Sequence, residues 1–170
     1  MCSTYERSER MNPEDTASIK QALEALERAH AGAEVDLPDG SRARVEEAPG
    51  GVRGVHINRP DGNNWHLRVF PPMAERPVGF NDQLPFLPFC KASLLETADG
   101  HVLATWESDN AEPLFDQIIA ESTQAGWLTD PNSPRISMPM HLLQLTRGSQ
   151  NRVVMRMKVK EIGIVSVFDT

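Results

Sequence analysis

The sequence predicts an α+β fold, in which an antiparallel sheet of β-hairpins is joined by two helices in the order α-ββββ-ββ-α-βββ. Three short loops ending in Asp-Gly lie between alternating apolar runs, and two other segments have helical periodicity. The loops are Pro38-Asp39-Gly40, Pro60-Asp61-Gly62 and Ala98-Asp99-Gly100. Aspartate suits the middle of such a turn, and glycine adopts the left-handed conformation that closes it. We therefore expect three hairpins, each with a glycine at positive φ.

The two helices are predicted from their capping residues and apolar spacing. Asn12 and Pro13 suit a helix start, and apolar residues then recur at helical spacing until Gly32, which predicts a first helix over about 14–31. A second helix is predicted to begin near Asn110 and to end at Gly126. We expect the apolar face of the second helix to be buried against the sheet through Leu114, Phe115, Ile118 and Ile119.

The turns also fix which strand residues face each other, because a hairpin loop of defined length sets the register. Counting outward from each loop predicts a four-strand meander over about 33–70 and a third hairpin after residue 89. The predicted opposed pairs include Val35 with Ala43, His56 with His66, Leu95 with Leu103, and Ala92 with Trp106.

Three strands are predicted after the second helix, at about 136–146, 152–160 and 162–168. The apolar phase changes between Leu142 and Leu143, which indicates a bulge or burial on both faces. The order hairpin, helix and three strands over 89–169 resembles that of roadblock and longin-type adaptor domains. This is a resemblance of architecture without a diagnostic residue motif, and a proline-rich loop stands where those domains usually begin with a helix. It implies an adaptor-like fold.

The domain organisation expected is a polar, flexible tail over 1–11 and a single α+β domain over 12–170. Alternatively, the halves 12–70 and 89–170 are joined by the segment 71–88, which we call the proline-rich loop. This loop is too apolar for a solvated linker, so it either covers the core or offers a partner something to bind. Its candidate contact residues are Phe80, Phe86 and Leu87.

Charge is distributed unevenly over the chain. The net charge is −7, yet residues 135–170 contain six basic and only two acidic residues. An acidic protein disfavours general nucleic-acid binding, whereas a local basic row suits an acidic protein partner. The candidate binding residues of this row are Arg152, Arg156, Lys158 and Lys160.

Localisation is predicted to be cytoplasmic, in bacteria. The N-terminus has no apolar signal region, no stretch is long enough to cross a membrane, and Cys2 and Cys90 make no disulfide framework. These features indicate no membrane association, and they leave homo-oligomerisation open.

His56 and His66 form the sharpest constellation of polar residues, with Arg68 beside them. Two opposed histidines on one sheet face are close enough to share a metal or an anion. A metal site usually needs a third protein ligand, and the sequence names none, so we predict neither a metal nor a cofactor. Cys90 is a candidate nucleophile, but its apolar neighbours in the predicted register favour a buried, inert thiol.

The sequence contains no phosphate-binding loop, Rossmann glycine pattern, nucleophile elbow, zinc-protease helix or paired Cys-x-x-Cys. We therefore expect a non-catalytic protein-interaction module of the adaptor, inhibitor or chaperone type. It would act through the basic C-terminal strand, the proline-rich loop, or both. The alternative is a small-molecule-binding protein or enzyme with a pocket near His56 and His66 or near Cys90.

Overall fold

The structure is a computed structural model that describes residues 13–131, 133 and 140–170, with only the backbone considered for 13–16. The predicted tail 1–11 and the first residues of the predicted strand 136–146 lie outside this range. The helices are α1 (Pro13–Arg28) and α2 (Ala111–Gln124). The strands are β1 (Glu34–Asp36), β2 (Arg42–Ala48), β3 (Val52–Asn58), β4 (Trp65–Phe70), β5 (Lys91–Thr97), β6 (Val102–Ser108), β7 (Leu128–Thr129), β8 (Met140–Arg147), β9 (Gln150–Val159) and β10 (Ile162–Asp169).

The strands form one antiparallel sheet of ten strands, in the order β1-β2-β3-β4-β5-β6-β10-β9-β8-β7. The predicted α+β class and antiparallel pairing are confirmed. Strand β4 pairs with β5, so the meander before the proline-rich loop and the strands after it share one sheet. The short strand β7 was not predicted, because two residues carry no periodicity.

All three Asp-Gly loops close hairpins as predicted. Gly40, Gly62 and Gly100 have φ values of 82°, 78° and 91°. The predicted pairs are also formed: Val35 with Ala43, His56 with His66, Leu95 with Leu103, and Ala92 with Trp106.

Helix α1 packs on one face of the sheet, over β2 and β3. We call this the front face, which carries Val55 and Leu67, and we call the opposite one the back face. Ala22 and Leu26 of α1 are buried there, and Arg53 of β3 donates a hydrogen bond to the carbonyl oxygen of Ala29, just beyond the helix end. The buried members of this front cluster are Ala22, Leu26, Leu37, Ala43, Val45, Val55, Ile57 and Leu67.

Helix α2 packs on the back face, over β6, β9 and β10. Ile118 is fully buried, whereas Leu114, Phe115 and Ile119 are only partly buried against the same cluster. The prediction for the helix face is thus confirmed in direction, with Ile118 as its one fully buried member. The buried members of this back cluster include Phe70, Leu94, Ala104, Trp106, Ile118, Trp127, Leu145, Val154, Val165 and Val167.

The proline-rich loop covers the back face between the meander and α2. Phe80, Leu84 and Leu87 are buried in the back cluster, and Phe80 makes an edge contact with Phe70 at 5.1 Å between ring centroids. Arg76 holds the loop together by donating to the carbonyl oxygens of Asn81 and Leu84. Of the two roles considered for this loop, covering the core is the one that these contacts support.

The change of apolar phase in β8 is not a bulge, and it reflects apolar side chains on both faces of the strand, of which Leu143 packs against a buried cluster and Leu142 does not. Leu142 pairs with Met155 and Leu143 with Val154 in unbroken register, so neighbouring leucines simply point to opposite faces. Among the described residues, no helix is long and apolar enough to cross a membrane.

Candidate functional site

The two helices lie on opposite faces of the sheet, so each half of the sheet has one face that no described helix covers. In the first half the face without a helix is the back of β1 to β4, which the proline-rich loop overlaps only at Phe70 and Arg68 of β4. In the second half it is the front of β6, β10, β9 and β8. The two uncovered areas differ in chemistry, and each is a candidate site.

The uncovered front of the second half is apolar, and we call it the open apolar face. Leu103 is 36% exposed and Phe168 is 40% exposed, and none of the apolar side chains of this face belongs to either buried cluster of the described residues. Exposed contiguous apolar surface commonly marks an interaction site. The apolar residues that share this face by register are Leu103, Met140, Leu142, Val153, Met155, Met157, Val159, Ile162, Ile164 and Phe168.

The open apolar face carries almost no charge. Its polar positions on the four strands are mainly neutral, such as Thr105, Ser166 and Gln144. At its border, Glu107 is paired with Lys91 at 3.6 Å. This surface therefore gives no electrostatic selection for an acidic or a basic partner.

The uncovered back of the first half is polar, and it holds the two histidines together with Glu46. The imidazole rings of His56 and His66 stack at 3.8 Å between centroids and 13° between planes. The Oε2 atom of Glu46 lies 3.1 Å from Nε2 of His56 and 3.8 Å from Nε2 of His66. These are the only three potential metal-ligating side chains that the described part of the chain brings so close together, with ligand atoms within 4.8 Å of one another.

Burial lowers the pKa of His66 from 6.5 to about 4, with positive charge on His56 and Arg68 adding to the shift and Glu46 and Glu96 opposing it. His66 is therefore a neutral imidazole at pH 7, which keeps a nitrogen lone pair available to a ligand.

The charge of Arg68 is already partnered. Its guanidinium donates to the carboxylate of Glu96 and to the carbonyl oxygen of Gly79, and Glu96 also accepts from Asn81. The structure thus places Arg68 beside the histidines as predicted, but it pairs that charge with an acid. Arg44, opposite His56 on β2, is exposed, and solvent screens its charge.

The predicted basic row is divided by the fold. Arg152 is 1% exposed, and it forms a two-pronged ion pair with Asp169. Arg156 is partly buried beside Phe115 and pairs with Glu112 at 3.4 Å. Lys158 and Lys160 are exposed, so they alone match the solvent-facing row expected from the sequence.

Of the aromatic and apolar loop residues named as candidate contacts, Phe80 and Leu87 are buried and Phe86 is partly buried. Cys90 is partly buried against the back cluster just before β5, and burial raises the pKa of its thiol. A protonated thiol is a poor nucleophile.

A groove of about 550 Å³ runs between α1 and the front of the sheet, lined by residues that include Leu23, Arg53, Val69 and Glu107. His56 and His66 lie on the opposite face, so this groove is not the pocket considered for them.

Sequence reasoning missed Glu46 and the open apolar face. Glu46 lies on β2, next to the strand that carries His56, and the link between β2 and β3 has no Asp-Gly turn from which to count its register.

No family model, curated protein or solved structure matches this chain.

Proposed function

We propose that this chain is a non-catalytic, cytosolic protein-interaction module that works as a homodimer, in which the open apolar faces of two copies pack together. The observation that carries the proposal is the contrast between the two uncovered faces. The polar face, around His56, is suited to contact with water. Covering the apolar face, around Met155, removes apolar surface from water and so lowers the free energy.

The open apolar face is large enough for a specific contact. Four strands at about 4.8 Å spacing and eight residues at about 3.3 Å give roughly 500 Å² in plan, before the relief of the side chains is counted. Specific interfaces bury from about 600 Å² per partner upward. Two sheets that pack face to face at about 10 Å make the same kind of layer as a β-sandwich core.

A second copy is the occupant that suits this face best. An isologous interface pairs a patch with itself and needs no opposite charge, in keeping with a face that has almost none. The segments outside the described residues suit it less well, because residues 1–12 include Glu6, Arg7, Glu9 and Arg10, and 134–139 is only a short stretch. The proposal keeps the interaction class predicted from the sequence. It moves the contact away from the proline-rich loop, in which Phe80 and Leu87 are buried.

The test compares Met155→Glu, in the open apolar face, with Asn58→Glu, an exposed position on the polar back face. Size-exclusion chromatography with light scattering should give a dimer for the unaltered protein and for Asn58→Glu, and a folded monomer for Met155→Glu. A monomeric unaltered protein, or a dimer that Met155→Glu leaves intact, would count against the proposal.

An acidic partner for the exposed lysines is a separate proposal. Lys158 and Lys160 stand clear of the open apolar face, so a dimer keeps them in solvent. Poly-glutamate binding, followed by fluorescence anisotropy, should weaken in Lys158→Glu/Lys160→Glu but not in Lys20→Glu on α1. Equal binding by all three proteins would remove this role.

A further inference from the structure

We propose that Glu46, His56 and His66 form a binding site for a divalent transition-metal cation of the zinc class, with the remaining coordination position open to water. Two imidazoles and a carboxylate are a donor set that zinc uses when one position stays open. The proposal is independent of dimerisation, since these residues lie on the other face of the sheet and at its other end.

The distances between the donor atoms suit a shared cation. A tetrahedral zinc ion with bonds of about 2.0–2.1 Å holds its nitrogen and oxygen ligands about 3.3 Å apart. The two distances from the Glu46 oxygen to the imidazole nitrogens are 3.1 Å and 3.8 Å, which lie on either side of that value. The third distance, between the two imidazole nitrogens, is within 4.8 Å, so both rings must turn toward Glu46 before all three atoms can bind one ion.

The three ligands stand on three neighbouring strands, and Gly54 leaves the space between them. Glu46 is opposite Gly54 on β2, and His56 is opposite His66 on β4. A Cβ atom on residue 54 would lie 3.3 Å from Nε2 of His66. A side chain at residue 54 would crowd this ligand nitrogen, and glycine keeps the approach to it open.

The positive charge of Arg68 does not exclude a cation from this site, because Glu96 neutralises that charge. That guanidinium is paired with Glu96, so Glu46 remains as the carboxylate facing the two imidazoles.

Cation binding also requires a change in the angle between the two imidazole rings. The lone pairs of two nearly parallel rings cannot both point at one ion, so the interplanar angle of 13° must widen when a cation binds.

The experiment titrates the tag-free, chelator-treated full chain with Zn²⁺ by isothermal titration calorimetry. We expect one zinc per chain with a dissociation constant in the micromolar range or tighter. Glu46→Gln and His56→Gln should each weaken binding at least 10-fold, and circular dichroism and thermal unfolding without metal should show that both variants fold. His66→Gln provides a third ligand deletion in case one of these two fails to fold.

Two control variants isolate the site, and a third variant probes the space beside the ligands. His101→Gln removes a histidine that lies 3.6 Å from Asp99 but has no second imidazole in that pair, so zinc binding should be unchanged. Cys2→Ser, which removes the thiol near the N-terminus, should also leave it unchanged. Gly54→Ala keeps all three ligands but fills the space beside them, so it should weaken binding without altering the stoichiometry.

Ring geometry gives a second readout. On addition of Zn²⁺, the imidazole resonances of His56 and His66 should shift together in the NMR spectrum, while those of His101 should not. Absence of stoichiometric binding at up to about 1 mM Zn²⁺ would overturn the proposal. Binding that survives in folded Glu46→Gln and His56→Gln, or that disappears equally in His101→Gln, would overturn it as well.

Discussion

Arg152 shows how the fold uses a charged side chain as an interior residue. Its guanidinium lies 4.3 Å from the ring centroid of Trp127, pairs with Asp169, and donates to the Ser122 hydroxyl and to the Gln83 carbonyl oxygen. One side chain thus joins β9, β10, α2 and the proline-rich loop. A buried arginine with all these partners is stabilising only while each of them is present.

We predict that Arg152→Ala lowers the free energy of unfolding by about 3–5 kcal/mol, because it leaves the Asp169 carboxylate without its buried partner. Arg152→Lys should recover little, since an ammonium cannot make the two-pronged contact. Arg147→Ala is the matched control: Arg147 also contacts Trp127, at 4.7 Å, but it is more exposed, so about 1 kcal/mol or less is expected. Urea denaturation measures all three, and equal losses for Arg152→Ala and Arg147→Ala would contradict this account.

Asp39 gives a prediction for acid stability. Burial raises the pKa of this carboxyl, but hydrogen bonds from the Ser41 amide and hydroxyl, a hydrogen bond with Ser18 and the charge of Arg59 outweigh it, so the pKa lies below 3.8. A carboxyl with a lowered folded pKa stabilises the protein above the unfolded value, and this contribution disappears as pH falls through the folded one.

The stability difference between the unaltered protein and Asp39→Asn should therefore be constant above about pH 5 and should shrink below about pH 4. Urea denaturation of both proteins across this pH range measures the difference, from which the contributions of carboxyls present in both proteins cancel. A difference that stays constant down to pH 2 would show that the charge of Asp39 does not stabilise the turn.

For single residues, the sequence shows which side chains are charged or apolar, but it does not predict which of them other elements will bury. Arg152 and Lys158 share one face of an alternating strand, and only the packing of α2 and Trp127 makes one of them an interior residue. Glu46 was missed for a different reason. It is brought beside the histidines by the pairing of β2 with β3, and the link between these strands has no Asp-Gly turn from which to count the register.

Among the elements, the hairpins are the most predictable because their turns impose backbone conformations that few residues adopt. Gly62 has φ of 78°, and a Cβ there would meet nothing within 4 Å. Gly62→Val should then cost about 1–3 kcal/mol from backbone strain alone, whereas Gly62→Asn should cost less, because asparagine tolerates this conformation. Thermal unfolding compares the two, and a valine variant as stable as the asparagine variant would contradict the strain.

Gly163 tests the opposite situation, in which space and not φ requires glycine. A Cβ on Gly163 would lie 2.6 Å from Cβ of Ala111 and 2.9 Å from the carbonyl oxygen of Ser108, where α2 begins against β10. We expect Gly163→Ala to lower the free energy of unfolding by about 1–3 kcal/mol. Ala111→Gly in the same background should recover part of this loss, because it removes only the nearest atom. No recovery would mean that the helix start does not lie this close to β10.

The side of the sheet on which each helix lies could not be predicted. Register assigns residues to faces, but both faces of β8 and β10 are apolar, so the pattern does not distinguish the face under α2 from the exposed one. Met155 and Met157 show the result, because they are only partly buried and lie on the open apolar face.

At the scale of the whole molecule, the opposite placement of α1 and α2 gives the protein its two uncovered faces. The polar one carries Glu46, His56 and His66, and the apolar one is centred on β10 and β9. The cation site and the dimer contact would therefore lie on different faces and at different ends of one sheet. This arrangement lets each be tested while the other is left intact.

A homodimer in which a second copy of the chain covers the open apolar face can be tested by its mass. Sedimentation equilibrium of the unaltered protein, over a dilution series from about 100 µM downward, measures this directly as molar mass. We predict twice the mass of one chain at the upper concentrations, with a dissociation constant in the micromolar range or tighter. The mass of one chain throughout the series, at about 100 µM and below, would show that no second copy covers this face.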